Sequence, residues 1–337
     1  MEINLHLGAH RTASTTLQQF LDRNTAALRQ SGIEVWTPAR TRKGLFSGLF
    51  ERPEDVTLEM ERRGNRSLGL IAIEMERARR AGCSSLLISD ENMIGSTRNN
   101  LRQQQLYPLL TERLVRLRPA FDGKLRRIGI SIRSYDTFWA SCLAFGIVQG
   151  FRMPLMADLD RYITQPRRWR HVIANVAAAF PGVEILVWPF ERFAGQPDAQ
   201  LSFLTGGRKP AVSLIGARDW NNPSPRADSL HQILALRGDA DAGQPLTDQT
   251  GRWMPFSDAQ LLALRAQYNA DLDWLRCGAD GLAQLVEKTG PVANSDRTLA
   301  ISNHDNWDDI GRSGRAQSMP YLPPAQGRPF GAQDFMV

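Results

Sequence analysis

Five short apolar runs, separated by segments of helical character, constrain this chain more than any other feature. They are Ile3–Leu7, Gly32–Ala39 (GIEVWTPA), Ser84–Ser89 (SSLLIS), Arg126–Arg133 (RRIGISIR) and Val183–Phe190 (VEILVWPF). Runs this short and apolar, alternating with helices, suit strands of a parallel sheet covered on both faces. Between them, Leu17, Phe20, Leu21 and Leu28 recur at helical spacing, and about Leu68–Ala81 and Leu106–Leu117 also read as helices. A further helix is expected from near Thr137, with Phe138, Cys142 and Phe145 as its core-facing stripe. Strand–helix alternation over the first 190 residues predicts an α/β fold, a doubly wound parallel sheet with helices on both faces. Beyond Phe193 the pattern turns mainly helical, about Ala227–Arg237 and Asp258–Arg276. The expected organisation is one domain over 1–288, helical from about 225 to 288, followed by an extended or disordered tail over 289–337. The basic, glycine-containing stretch Arg40–Arg66 is hard to assign to an element.

A net charge of +6 favours anionic ligands. No basic run is interleaved with aromatic residues and no zinc-ligand spacing occurs, so a nucleic-acid partner is not expected. The three cysteines, Cys83, Cys142 and Cys277, are too far apart to suggest a disulfide framework or a metal site, and read as reduced thiols. No signal peptide precedes the first strand, and no apolar run reaches the roughly 18 residues that span a bilayer. A cytoplasmic protein without a transmembrane segment is expected. Oligomeric state is not legible.

The junction after the first strand, HLGAHRTASTTLQQFL, gathers a glycine, small residues, hydroxyls and a cation at a helix start. In parallel sheets ligands sit at the carboxyl ends of strands, where a helix N-terminus offers N–H groups to an anion. Against the nucleotide-binding pattern G-x-x-x-x-G-K-[ST], counted from Gly8, the chain has Ala13 for the second glycine and Ser14 for the lysine. An ATPase or kinase would lack its principal phosphate-binding cation. Here the cation stands earlier, at Arg11.

That order resembles the 5′-phosphosulfate loop of the sulfotransferases that use 3′-phosphoadenosine 5′-phosphosulfate (PAPS), most closely the bacterial branch. Arg11 stands where many members carry lysine, and Ala13 where glycine is commoner; alanine fits only if its φ is negative. The family binds the 3′-phosphate through an arginine closing a strand and a serine eight positions later. IRSYDTFWASCLAF supplies Arg133 and Ser141 at that separation. LLISDENM, VWPFERF, NNPSPRADSLHQILALRG and LRAQYNADLDWL also resemble family segments, so the likeness runs over about residues 1–278.

The resemblance implies a P-loop-like sulfotransferase fold and transfer of a sulfuryl group from PAPS to an acceptor hydroxyl or amine. The acceptor would be a carbohydrate, glycolipid or small metabolite. Backbone N–H groups of Arg11, Thr12, Ala13, Ser14, Thr15 and Thr16 would hold the phosphosulfate, Arg11 would offset charge on the leaving oxygen, and Arg133 and Ser141 would read the 3′-phosphate. No metal is required. For the base, Glu91 follows a strand end on the ligand side, with Asp90 beside it; His10 would orient substrate or cap the loop. His6, on the strand, reads as structural. Glu191, Arg192, Arg218 and Asn222 could lie near the crevice. Trp139, Trp169 and Trp188 could stack on adenine or sugar but read as core. Arg161–Arg170 could meet an acidic saccharide or form a charged solvent face.

A metal-dependent glycosyltransferase would need D-x-D, which occurs at Asp158–Asp160, Asp239–Asp241 and Asp271–Asp273, none after a clear strand. A non-catalytic nucleotide-binding protein on the same scaffold is the other alternative.

Overall fold

The structure, a computed structural model, describes residues 1–288 except 122, 209, 211–212, 220–223, 240–245 and 247–250. Six strands form one sheet in the order β2-β3-β1-β4-β5-β6, every neighbouring pair parallel. In chain order the elements begin with β1 (Glu2–His6), α1 (Ser14–Arg23), α2 (Thr25–Gln30) and β2 (Ile33–Trp36). There follow α3 (Pro38–Arg40), α4 (Leu58–Arg80), β3 (Ser85–Ser89), α5 (Thr97–Gln103), α6 (Leu110–Leu117) and β4 (Leu125–Ile132). Next come α7 (Tyr135–Val148), α8 (Met156–Thr164), α9 (Trp169–Ala179), β5 (Glu184–Pro189), α10 (Phe190–Phe193) and α11 (Pro197–Thr205). The described part closes with α12 (Ala227–Leu236), α13 (Asp258–Arg276) and the two-residue β6 (Gln284–Leu285).

Side-chain parity explains why helices cover both faces. Successive strand residues point to opposite sides, so a strand without polar alternation must be covered twice. Leu86, Ile88, Ile185 and Val187 join a core built with α4, α6, α7, α9 and α13. Their neighbours Leu87, Leu186 and Trp188 join a second core with Leu17, Phe20 and Leu21 of α1 and Leu201 and Leu204 of α11. On β1 the second face is polar: Asn4 donates to Ser85 Oγ (3.1 Å), and His6 Nδ1 bonds Ser89 Oγ (2.8 Å) while its ring stacks on Trp188. Burial lowers the His6 pKa to about 4, so this histidine is a neutral packed group, as expected from its place on the strand.

Several elements differ from the sequence expectation. The first helix breaks at Asn24, whose side chain donates to Phe20 O and Ile215 O and accepts from Ile215 N. The stretch 40–66 is not without regular structure. It holds a wide turn over Thr41–Leu45, a 3₁₀ turn over Pro53–Asp55 and the first turns of α4, capped by Thr57, whose Oγ1 accepts from Met60 N. α7 starts at Tyr135, two residues before Thr137, and is buried nearly all round rather than along one stripe. All the described residues belong to one compact unit, and the expected tail over 289–337 lies outside them. Among the described residues no helix is long and apolar enough to cross a membrane.

Candidate functional site

The chain runs from β1 to β2 and β3 on one side, then crosses to β4 on the other, so the sheet order reverses at the β1–β4 pair. Open parallel sheets bind ligands at such a switch point, beyond the carboxyl ends of the strands. Both segments singled out in the sequence leave the sheet there: residues 7–13 after β1 and residues 133–141 after β4.

The first loop stays tied to β4 beyond the end of β1, through Leu7 N to Gly129 O (3.0 Å), Ser131 N to Gly8 O and Ala9 N to Ser131 O (2.9 Å). Gly8 is required twice. Its φ is +88°, and a Cβ there would lie 2.7 Å from Cβ of Glu91. The chain then turns through two left-handed residues, Arg11 (φ 59°) and Ala13 (φ 60°). The condition expected for alanine to fit at position 13, a negative φ, is therefore not met. Ala13 is the N-cap of α1 with ψ 25°, and this conformation swings the loop into the helix. An L-residue there costs about 1–2 kcal/mol. The loop is held by Thr12 Oγ1 donating to Ala9 O (2.7 Å) and His10 N donating to the Tyr107 hydroxyl (3.0 Å). Among the described residues no acceptor is found for the backbone N–H groups of residues 11–15, which lie where the positive end of α1 begins.

Arg133 closes β4 and is 4% exposed. Its Nε donates to Thr137 Oγ1 (3.0 Å), one Nη to the Arg11 carbonyl (2.6 Å), and its guanidinium lies 4.3 Å from the centre of the Phe190 ring. Arg11 in turn donates from Nε to Ser141 Oγ (2.9 Å) and from an Nη to Ser224 Oγ (3.3 Å); the two serine hydroxyls bond each other at 2.6 Å. Thus Arg11 meets both Arg133 and Ser141, which follow it by more than 120 positions. Phe145 is not core-facing: its ring lies 5.3 Å from the Arg11 guanidinium. Arg252, exposed, reaches in from the C-terminal part and donates to Thr137 O (3.0 Å). Among the described residues no carboxylate comes within 4.0 Å of a nitrogen of Arg11, Arg133 or Arg252. Burial, then the nearby charges of Arg252 and, behind the opposing field of Glu191, of Arg11, push the Arg133 pKa well down. A guanidinium does not give up its proton in proteins, so this is electrostatic stress that an anion would relieve.

The turn after Arg133 is fixed from three elements. Trp169 Nε1 donates to Arg133 O (2.8 Å), Ser134 N to Glu191 Oε1 (2.8 Å), and the Tyr268 hydroxyl to Glu191 Oε2 (2.9 Å). Below Trp169, the fully buried Asp271 accepts from the Tyr135 hydroxyl, Trp169 N and Arg170 Nε.

On the β3 side, Glu91 accepts from Gln18 Nε2 at Oε2 (2.6 Å) and from an Arg42 Nη at Oε1 (2.9 Å). Burial opposes its ionisation, but the charge His10 gains in acid, Arg42 and the Gln18 bond outweigh burial and hold its pKa at about 2. Glu91 is thus an ionised acceptor at neutral pH with both oxygens engaged. Asp90 serves the fold, accepting from Thr41, Arg42 and Asn92 N. His10 lies over Tyr107, with Nδ1 3.1 Å from its hydroxyl and Nε2 3.2 Å from Asn92 Oδ1. Burial, against the fields of Glu91 and Asp90, lowers its pKa.

The Thr16 N–H does not join the loop donors as expected, because it donates to Ala13 O (3.0 Å). The remaining candidates lie at the start of α1 or away from the cluster. Ser14 and Thr16 are buried at the start of α1, with Thr15 between them half-buried. Trp139, Trp169 and Trp188 are wholly buried core. Arg192 donates to Glu287 O, Arg218 is exposed, and Asn222 lies outside the described residues. In the basic stretch, Arg161 bonds Gln104, Arg167 bonds Leu106 O and Arg170 bonds Asp271, so much of its charge is tied to the fold. Asp158–Asp160 and Asp271–Asp273 lie on helices, and Asp241 of the third pair is outside the described residues. Among the described residues no group of His, Cys, Asp or Glu is placed to hold a metal ion. Sequence reasoning missed Gln18, Arg42, Tyr107, Ser224 and Arg252. Gln18 is detectable, lying one helical turn after Ser14; nothing local marks the others.

Compared with known proteins, the chain matches no family model, no curated protein and no solved structure.

Proposed function

We propose that the chain is a sulfotransferase, transferring a sulfuryl group from PAPS to the hydroxyl or amine of an acceptor. The observation that carries this reading is the gathering of Arg11, Arg133 and Arg252, with no carboxylate in salt-bridge range among the described residues, beside unengaged loop N–H groups at the switch point. Charge left unpaired in this way is a strong binding term for a donor carrying several negative groups. In this reading the loop N–H groups and the Ser14 and Thr15 hydroxyls hold the phosphosulfate. Arg133, Ser141 and Arg252 meet the 3′-phosphate. Arg11, between the two, offsets the charge that develops when the sulfur–oxygen bond to the 5′-phosphate breaks.

The new bond forms between sulfur and the acceptor heteroatom, and the acceptor proton goes to Glu91. Its pair with Arg42 lowers its basicity, so that pair loosens as the proton arrives. Electrostatic neutralisation therefore contributes more than base strength. The engagement of both Glu91 oxygens also favours a second reading, a nucleotide-binding protein without turnover.

The test is transfer of ³⁵S from labelled PAPS onto a panel of saccharides, glycolipids and hydroxylated metabolites. Transfer by the wild type, and its loss by about 100-fold or more in Arg11→Ala, is expected. Donor binding without transfer to any acceptor would select the second reading.

A further inference from the structure

The segment Gly95–Tyr107 is built to bring one hydroxyl against His10. Gly95 has φ 140° and ψ −147°, a region open only to glycine, and a Cβ there would sit 3.1 Å from Cδ1 of the Tyr107 ring. Tyr107 itself has φ 43°, an outlier for a bulky residue, and its N–H donates to the side chain of the fully buried Asn100 (3.0 Å). The ring is 1% exposed, and its hydroxyl meets both His10 N and His10 Nδ1. Backbone strain of this kind persists only where the surroundings over-determine it, and here they hold the hydroxyl on His10.

The hydrogen-bond inventory fixes the direction of each bond. A backbone N–H can only donate, so the Tyr107 oxygen accepts from His10 N. Its own hydrogen then needs an acceptor in a place closed to water, and His10 Nδ1 is the one at hand. If Nδ1 carried the proton instead, it would also donate to the same oxygen and leave a buried hydroxyl hydrogen unpaired, which is costly.

We propose that Tyr107 is a positioning residue that locks His10 in the neutral tautomer with its proton on Nε2, making His10 a hydrogen-bond donor in the site and not its base. Nε2–H then donates to Asn92 Oδ1, beside Glu91. Burial favours the neutral imidazole: Glu91 and Asp90 favour protonation of the ring and Arg42 opposes it, and burial outweighs the two carboxylates. The functional meaning of this donor, bonded to Asn92 beside the proposed base Glu91, rests on the sulfuryl-transfer reading; the tautomer does not.

The tautomer is read directly from the ¹⁵N spectrum of the full chain labelled at its five histidines, with His10→Asn assigning the signal. An imine-like Nδ1 and a pyrrole-like Nε2, unchanged from pH 8 to pH 6, are expected. In Tyr107→Phe the two shifts should move toward each other as both tautomers populate. A pyrrole-like Nδ1 in the wild type would overturn the proposal, and so would an unchanged spectrum in folded Tyr107→Phe. Should that variant fail to fold, the wild-type spectrum decides. No nucleotide enters the measurement, so failure of the PAPS reading and failure of this one are separate results.

Discussion

Replacing Gly8 by alanine tests how closely the first loop approaches the β3 end. Two costs are expected. The first is backbone: at φ +88° an L-residue loses about 1–2 kcal/mol. The second is contact: the new Cβ would lie 2.7 Å from Cβ of Glu91, and Glu91 is held from both sides by Gln18 and Arg42. Forcing a methyl into such a place costs about 1–3 kcal/mol. Gly82→Ala separates the two effects, because Gly82 has φ +91° and an added methyl there would meet nothing within 4 Å. Urea unfolding should therefore show Gly82→Ala losing about 1–2 kcal/mol and Gly8→Ala about 2–5 kcal/mol. Equal losses in the two variants would refute the close approach, and with it the placement of Glu91 against the loop.

Two acid transitions should separate by residue. The depressed Glu91 pKa means that stability is full above the unfolded value of 4.5 and is lost as pH falls toward about 2, by on the order of 3 kcal/mol; Glu91→Gln should flatten that window in pH-dependent unfolding. His6, neutral when folded, makes the unfolded state bind the extra proton between pH 6.5 and about 4, so stability falls across that earlier window and His6→Leu should flatten it. Asp271→Ala strips the acceptor from the buried Tyr135 hydroxyl and from Arg170 Nε, while Trp169 N–H keeps the Tyr135 oxygen, and should cost about 2–4 kcal/mol in thermal or urea unfolding, although it lies outside the anion cluster.

What the sequence reveals follows the strength of local signals. β1, β3, β4 and β5 are legible because each is a short run rich in apolar residues set between helical segments. The first helix reads as continuous because the Leu17–Leu28 spacing carries across Asn24; the break comes from bonds to residue 215, which no local pattern encodes. The start of α4 is hidden because Gly64 and Gly69 weaken the helical signal, while in the fold Gly64 lets the helix approach the Gly48 carbonyl. In the site, Arg11, Arg133 and Ser141 are legible through order and spacing. Arg252 and Ser224 are not, since they reach the cluster only through tertiary folding. Ala13 shows the reverse failure: its residue type argues against the left-handed turn that the N-cap of α1 adopts.

The central claim, a site that reads a 3′-phosphorylated adenine nucleotide, is tested most directly by thermal stability with 3′-phosphoadenosine 5′-phosphate, ADP and Mg-ATP, each against wild type and Arg133→Ala. At roughly 100 times its dissociation constant a ligand adds about 2.7 kcal/mol. The account predicts that only the 3′-phosphorylated nucleotide stabilises the wild type and that Arg133→Ala abolishes the preference. Equal stabilisation by ADP, or none by the 3′-phosphorylated nucleotide, would contradict it.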